Sequence, residues 1–274
     1  MGAQTSLEGG AKLALFGLPY DGTCSFRPGT RFGPAAIRNV SDGIETYCPV
    51  ADRDLDDVRF ADLGDLVLPP GDKDEVLVRI ERAAGELYST GVIPAALGGE
   101  HLVSLPLLRA AVARHPDLVL VQFDAHLDLR EDYLGTPLSH ATVMRRIMEF
   151  VDPSRILQVG PRSGPREEFE IAKKFGTYRP ATLTPADLVS WIAKRPVYVT
   201  LDLDVLDPSV LPGTGTPEPG GVSFATLQGW IAALCDVEWV GWDMVELSPD
   251  YDSSHVSSIV SAKLVRSMIL SSVQ

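Results

Sequence analysis

The chain has 274 residues, of which 45% are hydrophobic, and its 24 basic and 37 acidic residues give a net charge of −13. This excess of acid disfavours nucleic acid as a partner, and no apolar run is long enough to span a bilayer. Three scattered cysteines exclude a disulfide framework and a cysteine-rich zinc site, and residues 1–10 show no secretory signal. We therefore expect a cytoplasmic protein with one domain over residues 1–274, whose charge suits a cationic ligand.

Strand-like and helix-like segments alternate along the chain, because short apolar runs and longer amphipathic stretches follow one another. In chain order the pattern predicts strand 13–18, helix 31–42, strand 58–63, helix 72–89, strand 92–97, helix 102–114, strand 118–123, helix 140–150, strand 156–159, helices 166–174 and 185–194, strand 197–201, helix 224–235, strand 237–245 and helix 256–270. Such alternation is typical of an α/β fold with a mostly parallel sheet and helices on both faces.

Two carboxylates and an imidazole directly follow the predicted strand 118–123. Asp124, His126 and Asp128 stand at positions i, i+2 and i+4, which point to one side of an extended segment, so we expect their side chains to converge. A buried carboxylate costs several kcal/mol unless positive charge compensates it, and this cluster contains no lysine or arginine. We therefore favour a metal site over an ordinary polar turn.

Further candidate ligands follow other predicted strands in the same way. Asp202 and Asp204 come directly after one strand, and His101 lies just beyond another. Ligands of parallel sheets lie beyond the carboxyl ends of the strands, where all these residues fall. Four aspartates balance the charge of two divalent cations, and oxygen ligands with some imidazole suit Mn²⁺ better than structural Zn²⁺. The Gly- and Pro-rich segment 212–221 is predicted to be an active-site loop.

Taken together, the motifs resemble those of the ureohydrolases, the family of the arginase and agmatinase enzymes. The resemblance begins at Ser25-Phe26-Arg27-Pro28-Gly29, reaches the last helix, and includes Gly98-Gly99-Glu100-His101, Phe123-Asp124-Ala125-His126-Leu127-Asp128-Leu129-Arg130, Ser139-His140, Asp202-Leu203-Asp204-Val205-Leu206-Asp207-Pro208 and Asp243-Met244-Val245-Glu246. It implies the arginase-like fold, a three-layer α/β/α sandwich, and a centre of two Mn²⁺ ions in each chain.

The resemblance also implies which residues would bind these ions. One Mn²⁺ would be bound by His101, Asp124, Asp128 and Asp202, and the other by Asp124, His126, Asp202 and Asp204. In this arrangement Asp124 and Asp202 would bridge the two ions.

Three residues receive catalytic roles from the same resemblance. Asp128 would orient the attacking water and later pass on a proton, and Glu246 would bind the guanidinium group through paired hydrogen bonds. His140 would carry a proton to the departing amine.

Two features of the sequence favour an agmatinase over an arginase. Arginases usually continue the Asp-Ala-His-x-Asp motif with Ile-Asn, where this chain has Leu129-Arg130, and a Ser-Gly-Asn type of segment is missing before His140. We therefore expect cleavage of agmatine to putrescine and urea, with guanidinobutyrase, aminopropyl-agmatine ureohydrolase and arginase activities as alternatives. Arg130 favours a carboxylate-bearing substrate if its side chain reaches the pocket. The expected partners are a small cationic guanidino substrate and, from the family, other copies of the chain in a trimer or hexamer.

Two alternatives lie outside this reaction class. A deacetylase of the same fold would use a single zinc ion, but six potential ligands favour two metals. A metal-free paralogue would act only as an assembly subunit, and the intact ligand set argues against it.

Overall fold

One eight-stranded sheet organises the computed structural model, which describes residues 2–273. The strands are β1 (Leu13–Leu18), β2 (Tyr47–Cys48), β3 (Arg53–Asp54), β4 (Phe60–Asp65), β5 (Ile93–Gly98), β6 (Val119–Phe123), β7 (Ile156–Val159), β8 (Tyr178–Arg179), β9 (Val197–Asp202) and β10 (Trp239–Val245). The sheet has the order β4-β1-β5-β10-β9-β6-β7-β8, and all its neighbouring strands are parallel. Strands β2 and β3 form a separate antiparallel pair.

Helices cover both faces of this sheet. They are α1 (Gly33–Ser41), α2 (Lys73–Thr90), α3 (Ser104–Arg114), α4 (Val143–Ile147), α5 (Arg166–Phe175), α6 (Pro185–Ile192), α7 (Phe224–Ala233) and α8 (Val256–Ser272). Helices α1, α6, α7 and α8 contribute to one hydrophobic core, and α2 to α5 contribute to the other. Side chains alternate along β6: Val119, Val121 and Phe123 face the core formed with α1, α6, α7 and α8, and Leu120 faces the core formed with α2 to α5. The predicted three-layer α/β/α sandwich is therefore confirmed.

Local sequence explains where the elements begin and end. Helix α2 begins after Asp72, whose side chain accepts a hydrogen bond from the Glu75 amide at 3.0 Å, and it ends at Gly91, which has a φ of 81°. Strand β9 is buried along its whole length, which explains its continuous apolar run up to Asp202. Among the helices of the described residues, none has both the length and the apolar character needed to cross a membrane.

Most predicted bounds differ from the structure by one or two residues, as for β4, predicted at 58–63 and found at Phe60–Asp65, and two differences are larger. The two-residue strands β2, β3 and β8 were not predicted, because so short a segment has no periodicity to detect. The predicted helix 140–150 is a 3-10 turn, His140–Thr142, followed by the short helix α4. Its shortness has a local cause, since the amide of Arg145 in α4 donates to the carbonyl of Asp128 at 3.1 Å.

Candidate metal centre and active-site cavity

The candidate ligands lie at one edge of the sheet, beyond the carboxyl ends of four adjacent strands. His101 follows β5, and Glu246 follows β10, which lies between β5 and β9. Asp202 ends β9, and Asp124 directly follows β6. The carboxyl ends of parallel strands lie at the same edge of the sheet, so residues that are far apart in the sequence become neighbours at that edge.

The first group of candidate ligands is centred on Nδ1 of His101. This atom lies 3.1 Å from Oδ2 of Asp124, 3.1 Å from Oδ2 of Asp128 and 3.3 Å from Oδ2 of Asp202. The ring is held from its other side, where Nε2 lies 3.0 Å from the Thr200 hydroxyl. His101, Asp124 and Asp128 are close enough together to bind one metal ion.

The second group shares Asp124 with the first. Nδ1 of His126 lies 2.9 Å from Oδ2 of Asp204 and 3.6 Å from Oδ1 of Asp124. Asp124, His126 and Asp204 are also close enough to bind one ion. The structure therefore offers two adjacent metal positions with a carboxylate between them, a known arrangement for hydrolysis by two metals.

The side chains converge by a different geometry from the extended segment that we predicted. The His126 amide donates to Oδ1 of Asp124 at 2.6 Å, and the Asp204 amide donates to Oδ1 of Asp202 at 2.8 Å. These are tight turns, and Asp128 has a left-handed φ of 53°. The prediction that these residues converge agrees with the structure, but the predicted extended geometry was wrong. Strand β6 ends at Phe123, one residue before Asp124, and β9 ends at Asp202, so the residues that follow are no longer extended.

Buried polar residues that sequence reasoning did not single out support the ligands. Gln122 donates to Oδ2 of Asp124 at 2.6 Å. Thr200, which contacts His101, donates to Asp243 at 2.7 Å, and Ser104 donates to the same carboxylate at 2.9 Å. A polar residue inside an otherwise apolar strand was the available signal for Gln122, Thr200 and Asp243, since such residues need buried partners.

The buried carboxylates of the centre would be stabilised by a positive charge. Burial and the neighbouring Asp124 raise the pKa of Asp128 to about 6, while burial and Asp204 raise the pKa of Asp202 well above its usual range. Burial alone would lower the pKa of His126, but Asp204 and Asp124 raise it far above its usual range. Within residues 2–273, no lysine or arginine forms an ion pair with these carboxylates.

The donor atoms fit divalent cations. They are carboxylate oxygens and imidazole nitrogens, the ligands that suit Mn²⁺ and similar ions. Nδ1 of His101 is buried and has no hydrogen-bond partner in the described part of the chain, which is the arrangement expected of a metal ligand. The second ring nitrogen is oriented by Thr200, as is usual for ligating histidines.

A cavity of about 120 Å³ opens above the candidate metal positions, and Glu246 forms part of its wall. Oε1 of Glu246 accepts a hydrogen bond from the His101 amide at 2.7 Å, and the residue has a left-handed φ of 68°. Within residues 2–273, no donor reaches its second oxygen, which leaves that atom available to a ligand. Burial and the charge of Glu100 raise the pKa of Glu246 to about 8.

His140 lies on another side of the same cavity. Its Nε2 is 3.4 Å from the Ser25 hydroxyl, and its ring contacts Tyr133 edge to face with 5.6 Å between the ring centroids. Burial and the positive charge of His101 lower the pKa of His140 to about 4. This side chain is therefore a neutral imidazole at neutral pH, able to accept a proton on one nitrogen.

The loop 212–221 reaches the centre, as its position in the sequence predicted. The Thr216 hydroxyl donates to Oδ2 of Asp204 at 3.3 Å, and Oε1 of Glu218 lies 3.8 Å from Nε2 of His126. Arg162 holds the loop in place by donating to the Glu218 carbonyl at 2.6 Å.

Arg130 does reach the cavity, where it is paired with a carboxylate. Its Nε lies 3.2 Å from Oε1 of Glu168, and its guanidinium lies over the ring of Tyr133. The side chain of Glu168 is 5% exposed, so this carboxylate is held almost out of solvent. Burial and the charge of Asp128 raise the pKa of Glu168 to about 7.

Comparison with known proteins agrees with this geometry. The family model described as the arginase family matches residues 11–271. An agmatinase from Bacillus cereus is 44% identical over 265 residues, which cover 95% of this chain and 91% of that protein. A guanidinopropionase from Pseudomonas aeruginosa is 36% identical over 93% of this chain and 84% of its own length.

A solved structure gives the same result for the fold. The crystal structure of an agmatine ureohydrolase from Thermoplasma volcanium is 33% identical and superimposes with a TM-score of 0.87, covering 96% of this chain and 90% of the other. The matched region includes every strand and helix that carries a candidate ligand. The chain therefore belongs to the arginase family, and it is a ureohydrolase, an enzyme that hydrolyses guanidino carbon–nitrogen bonds.

Proposed function

We propose that the protein hydrolyses agmatine to putrescine and urea with two Mn²⁺ ions bound at His101, Asp124, His126, Asp128, Asp202 and Asp204. The observation that carries the proposal is the distribution of charge around the cavity. Among the residues that the structure describes, four carboxylates line it, whereas the one guanidinium that lines it, that of Arg130, is paired with one of them, and these carboxylates are Asp128, Glu168, Asp202 and Glu246. Agmatine carries a guanidinium at one end and an ammonium at the other, so both of its ends suit this cavity.

The reaction adds one water to the substrate. The guanidinium carbon keeps the oxygen and becomes urea, and both protons of the water end on the amine, which leaves as an ammonium ion. The two cations would supply, when bound, a water that is acidic enough to react at neutral pH.

The chain's own residues orient the substrate and transfer protons. In our proposal Glu246 binds the guanidinium NH groups through its free oxygen and holds the carbon over the metal positions. Asp128, on the floor of the cavity, orients the attacking water and accepts its proton. His140 transfers a proton to the departing amine nitrogen through Nε2, the ring nitrogen that faces Ser25 and the cavity.

Glu168 is our candidate for the residue that selects the tail of the substrate. Its carboxylate lines the cavity and is almost buried, so it offers a site for the ammonium group of agmatine. A carboxylate tail would face the same negative charge, and Arg130 is already paired. Desolvating a carboxylate without free donors costs several kcal/mol, and each ~1.4 kcal/mol changes selectivity tenfold.

One observation favours a second candidate reaction, the hydrolysis of a guanidino acid. Arg130 is 39% exposed and lines the cavity, and a carboxylate tail could bind it if Glu168 released it. The similarity to a guanidinopropionase makes 3-guanidinopropionate the first such substrate to assay. The ion pair between Arg130 and Glu168 is the reason that we place agmatine first.

The decisive experiment measures urea release with Mn²⁺ present from agmatine, arginine, 4-guanidinobutyrate and 3-guanidinopropionate. We expect kcat/KM for agmatine to exceed the other values by about a hundredfold or more. Glu168→Gln should lower kcat/KM for agmatine about tenfold and raise it for the guanidino acids, because the substitution removes a negative charge and frees Arg130.

A control variant tests whether this effect is local. Glu167→Gln makes the same chemical change on the exposed neighbour in helix α5 and should leave the substrate preference unchanged. Preference of the wild-type enzyme for either guanidino acid would contradict the proposal, and so would an unchanged preference in Glu168→Gln.

A further inference from the structure

The segment between β1 and α1 forms part of the cavity wall. It is held by a hydrogen bond within the segment and by a backbone contact with the residues after β5. Within it, Oδ2 of Asp21 accepts a hydrogen bond from the Gly29 amide at 2.9 Å and so closes the segment into a loop. The Glu100 amide donates to the Tyr20 carbonyl at 2.8 Å. That carbonyl also lies against Gly99, where any side chain would collide with it. Thr23, two residues further along, is therefore held at a defined position beside the cavity.

Thr23 joins a buried carboxylate to the imidazole of His140. Its amide donates to Oε2 of Glu100 at 2.7 Å, and its hydroxyl donates to Oε1 of Glu100 at 2.6 Å. The backbone amide of His140 donates to the same hydroxyl oxygen at 3.2 Å, and Nδ1 of His140 lies 3.4 Å from it. The side chain of Glu100 is fully buried, which makes its hydrogen bonds strong and hard to replace.

With Glu100 as a carboxylate that accepts from both the amide and the hydroxyl of Thr23, the count of donors and acceptors indicates which ring nitrogen of His140 carries the hydrogen. A hydroxyl has one proton and two acceptor positions. The proton of Thr23 is used on the carboxylate of Glu100, and one acceptor position is used by the His140 amide. The remaining acceptor position is the one available to Nδ1 of His140, 3.4 Å away, which suits a neutral ring that carries its hydrogen on that nitrogen. Nε2 then carries the lone pair, on the side of the ring where the Ser25 hydroxyl lies 3.4 Å away at the cavity wall.

We propose that Thr23 is a positioning residue that holds His140 in the Nδ1–H tautomer and aims Nε2 at the departing amine. The inference rests on the proposed function, in which His140 transfers a proton to that amine. Nε2 can accept a proton and release it to the amine nitrogen as the carbon–nitrogen bond breaks, while Nδ1 keeps its hydrogen throughout. Neither Thr23 nor Glu100 touches the substrate in this arrangement, and both act through the ring of His140.

Two substitutions at Thr23 separate positioning from packing. Thr23→Val keeps the shape of the side chain and removes the hydroxyl, whereas Thr23→Ser keeps the hydroxyl and removes the methyl group. We expect Thr23→Val to lower kcat about tenfold to a hundredfold with KM changed less than about twofold, and Thr23→Ser to stay within about threefold of wild type. Thr90→Val, at an exposed site on α2, makes the same chemical change away from the cavity and should have no effect.

A spectroscopic measurement tests the tautomer without using turnover. In ¹⁵N-histidine-labelled enzyme loaded with diamagnetic Zn²⁺, the neutral ring of His140, assigned with a His140→Asn variant, should show its hydrogen on Nδ1. In Thr23→Val we expect a mixture of the two tautomers. This spectrum of the wild-type protein decides the question even if Thr23→Val fails to fold, and even if agmatine is not the substrate.

Three results would overturn the inference. They are a wild-type His140 with its hydrogen on Nε2, a Thr23→Val enzyme with the kcat of wild type, and a Thr23→Ser enzyme as impaired as Thr23→Val. A wild-type enzyme that ignores agmatine but shows the Nδ1–H ring contradicts only the proposed function, so the two failures are distinguishable.

Discussion

His126 and Asp204 belong to the second candidate metal position only, whereas Asp124 is shared by both. Removing either residue should therefore empty one position and leave the other. We expect His126→Ala and Asp204→Asn to bind about one metal ion per chain and to lose at least about a hundredfold in kcat. The fold should remain intact in both, since Asp204→Asn relieves repulsion among buried carboxylates and His126 belongs to neither hydrophobic core.

Metal analysis of the purified variants, together with circular dichroism, measures this prediction. Asp117→Asn, at an exposed position just before β6, is the matched control and should keep both ions. Two tightly bound ions in either His126→Ala or Asp204→Asn would contradict our assignment of the second position.

The sequence predicted which candidate ligands converge better than it predicted the contacts that hold them. Aspartate and histidine directly after apolar runs are a strong signal, because buried charge without a nearby lysine or arginine needs a cation. The partner of Glu100 could not be predicted, because Thr23 is 77 residues away and lies in a loop with no periodic pattern. The pairing of Arg130 with Glu168 depends likewise on how the fold brings α5 to the loop that follows β6, and no spacing in the sequence encodes that contact.

At the scale of elements, Asp252 connects helix α8 to the active-site loop. Its Oδ2 accepts a hydrogen bond from the Ser257 amide at 2.7 Å, and the Ser257 hydroxyl in turn accepts from the Gly213 amide at 2.9 Å. Asp252→Ala should lower the free energy of unfolding by about 1–2 kcal/mol, the usual cost of losing a side-chain acceptor for an amide in the first turn of a helix. Urea unfolding measures the change, and Asp250→Ala on the exposed neighbour should cost much less.

The stabilisation that Asp252 provides should depend on pH in a defined direction. Burial would raise the pKa of Asp252, but hydrogen bonds from Ser254 and Ser257 lower it from 3.8 to about 2. Because the pKa is lower in the folded state, the stabilisation is fully present above about pH 4 and is lost as the pH falls towards 2. The difference in stability between wild type and Asp252→Asn should therefore be constant from pH 7 to 5 and shrink below pH 4. A constant difference down to pH 3 would contradict this account.

Most elements were predictable, and the exceptions are strands too short to show periodicity and one helix shortened by a tertiary contact. Strands β1 and β7 have the bounds that were expected, because buried parallel strands read as plain apolar runs. Helix α4 is shorter than predicted, because its first turn binds the loop that carries Asp128 rather than extending the helix. Tertiary contacts of this kind override a local pattern, and only the folded chain reveals them.

At the scale of the whole molecule, the candidate ligands tie metal binding to global stability. They come from β5, β6 and β9, so an unfolded chain cannot bring them together. Without cations, the four aspartates repel one another in a buried site. We expect chelation to abolish activity and to lower Tm. Mn²⁺ added back at about a hundred times its Kd should restore about 2.7 kcal/mol of stability for each site that it fills.

Calorimetry of metal-free and reloaded protein measures this coupling, with Mg²⁺ at the same concentration as a test of ion preference. Full activity in thoroughly chelated protein would contradict the metal-dependent mechanism. An unchanged Tm would show that the ligands do not bind a cation in the folded state.

The order of the sheet has a consequence for how the enzyme is made. Strand β10 is the last strand of the chain and lies between β5 and β9. Until β10 is inserted, a gap remains in the sheet between His101, which follows β5, and Asp202, which ends β9. The second candidate metal position, Asp124, His126 and Asp204, comes from the adjacent strands β6 and β9 and needs no residue of β10. The first position also needs His101 from β5, so its loading must follow the insertion of the final strand. A chain that stops before residue 239 can therefore form only one of the two positions, and complete loading marks a chain that has already folded.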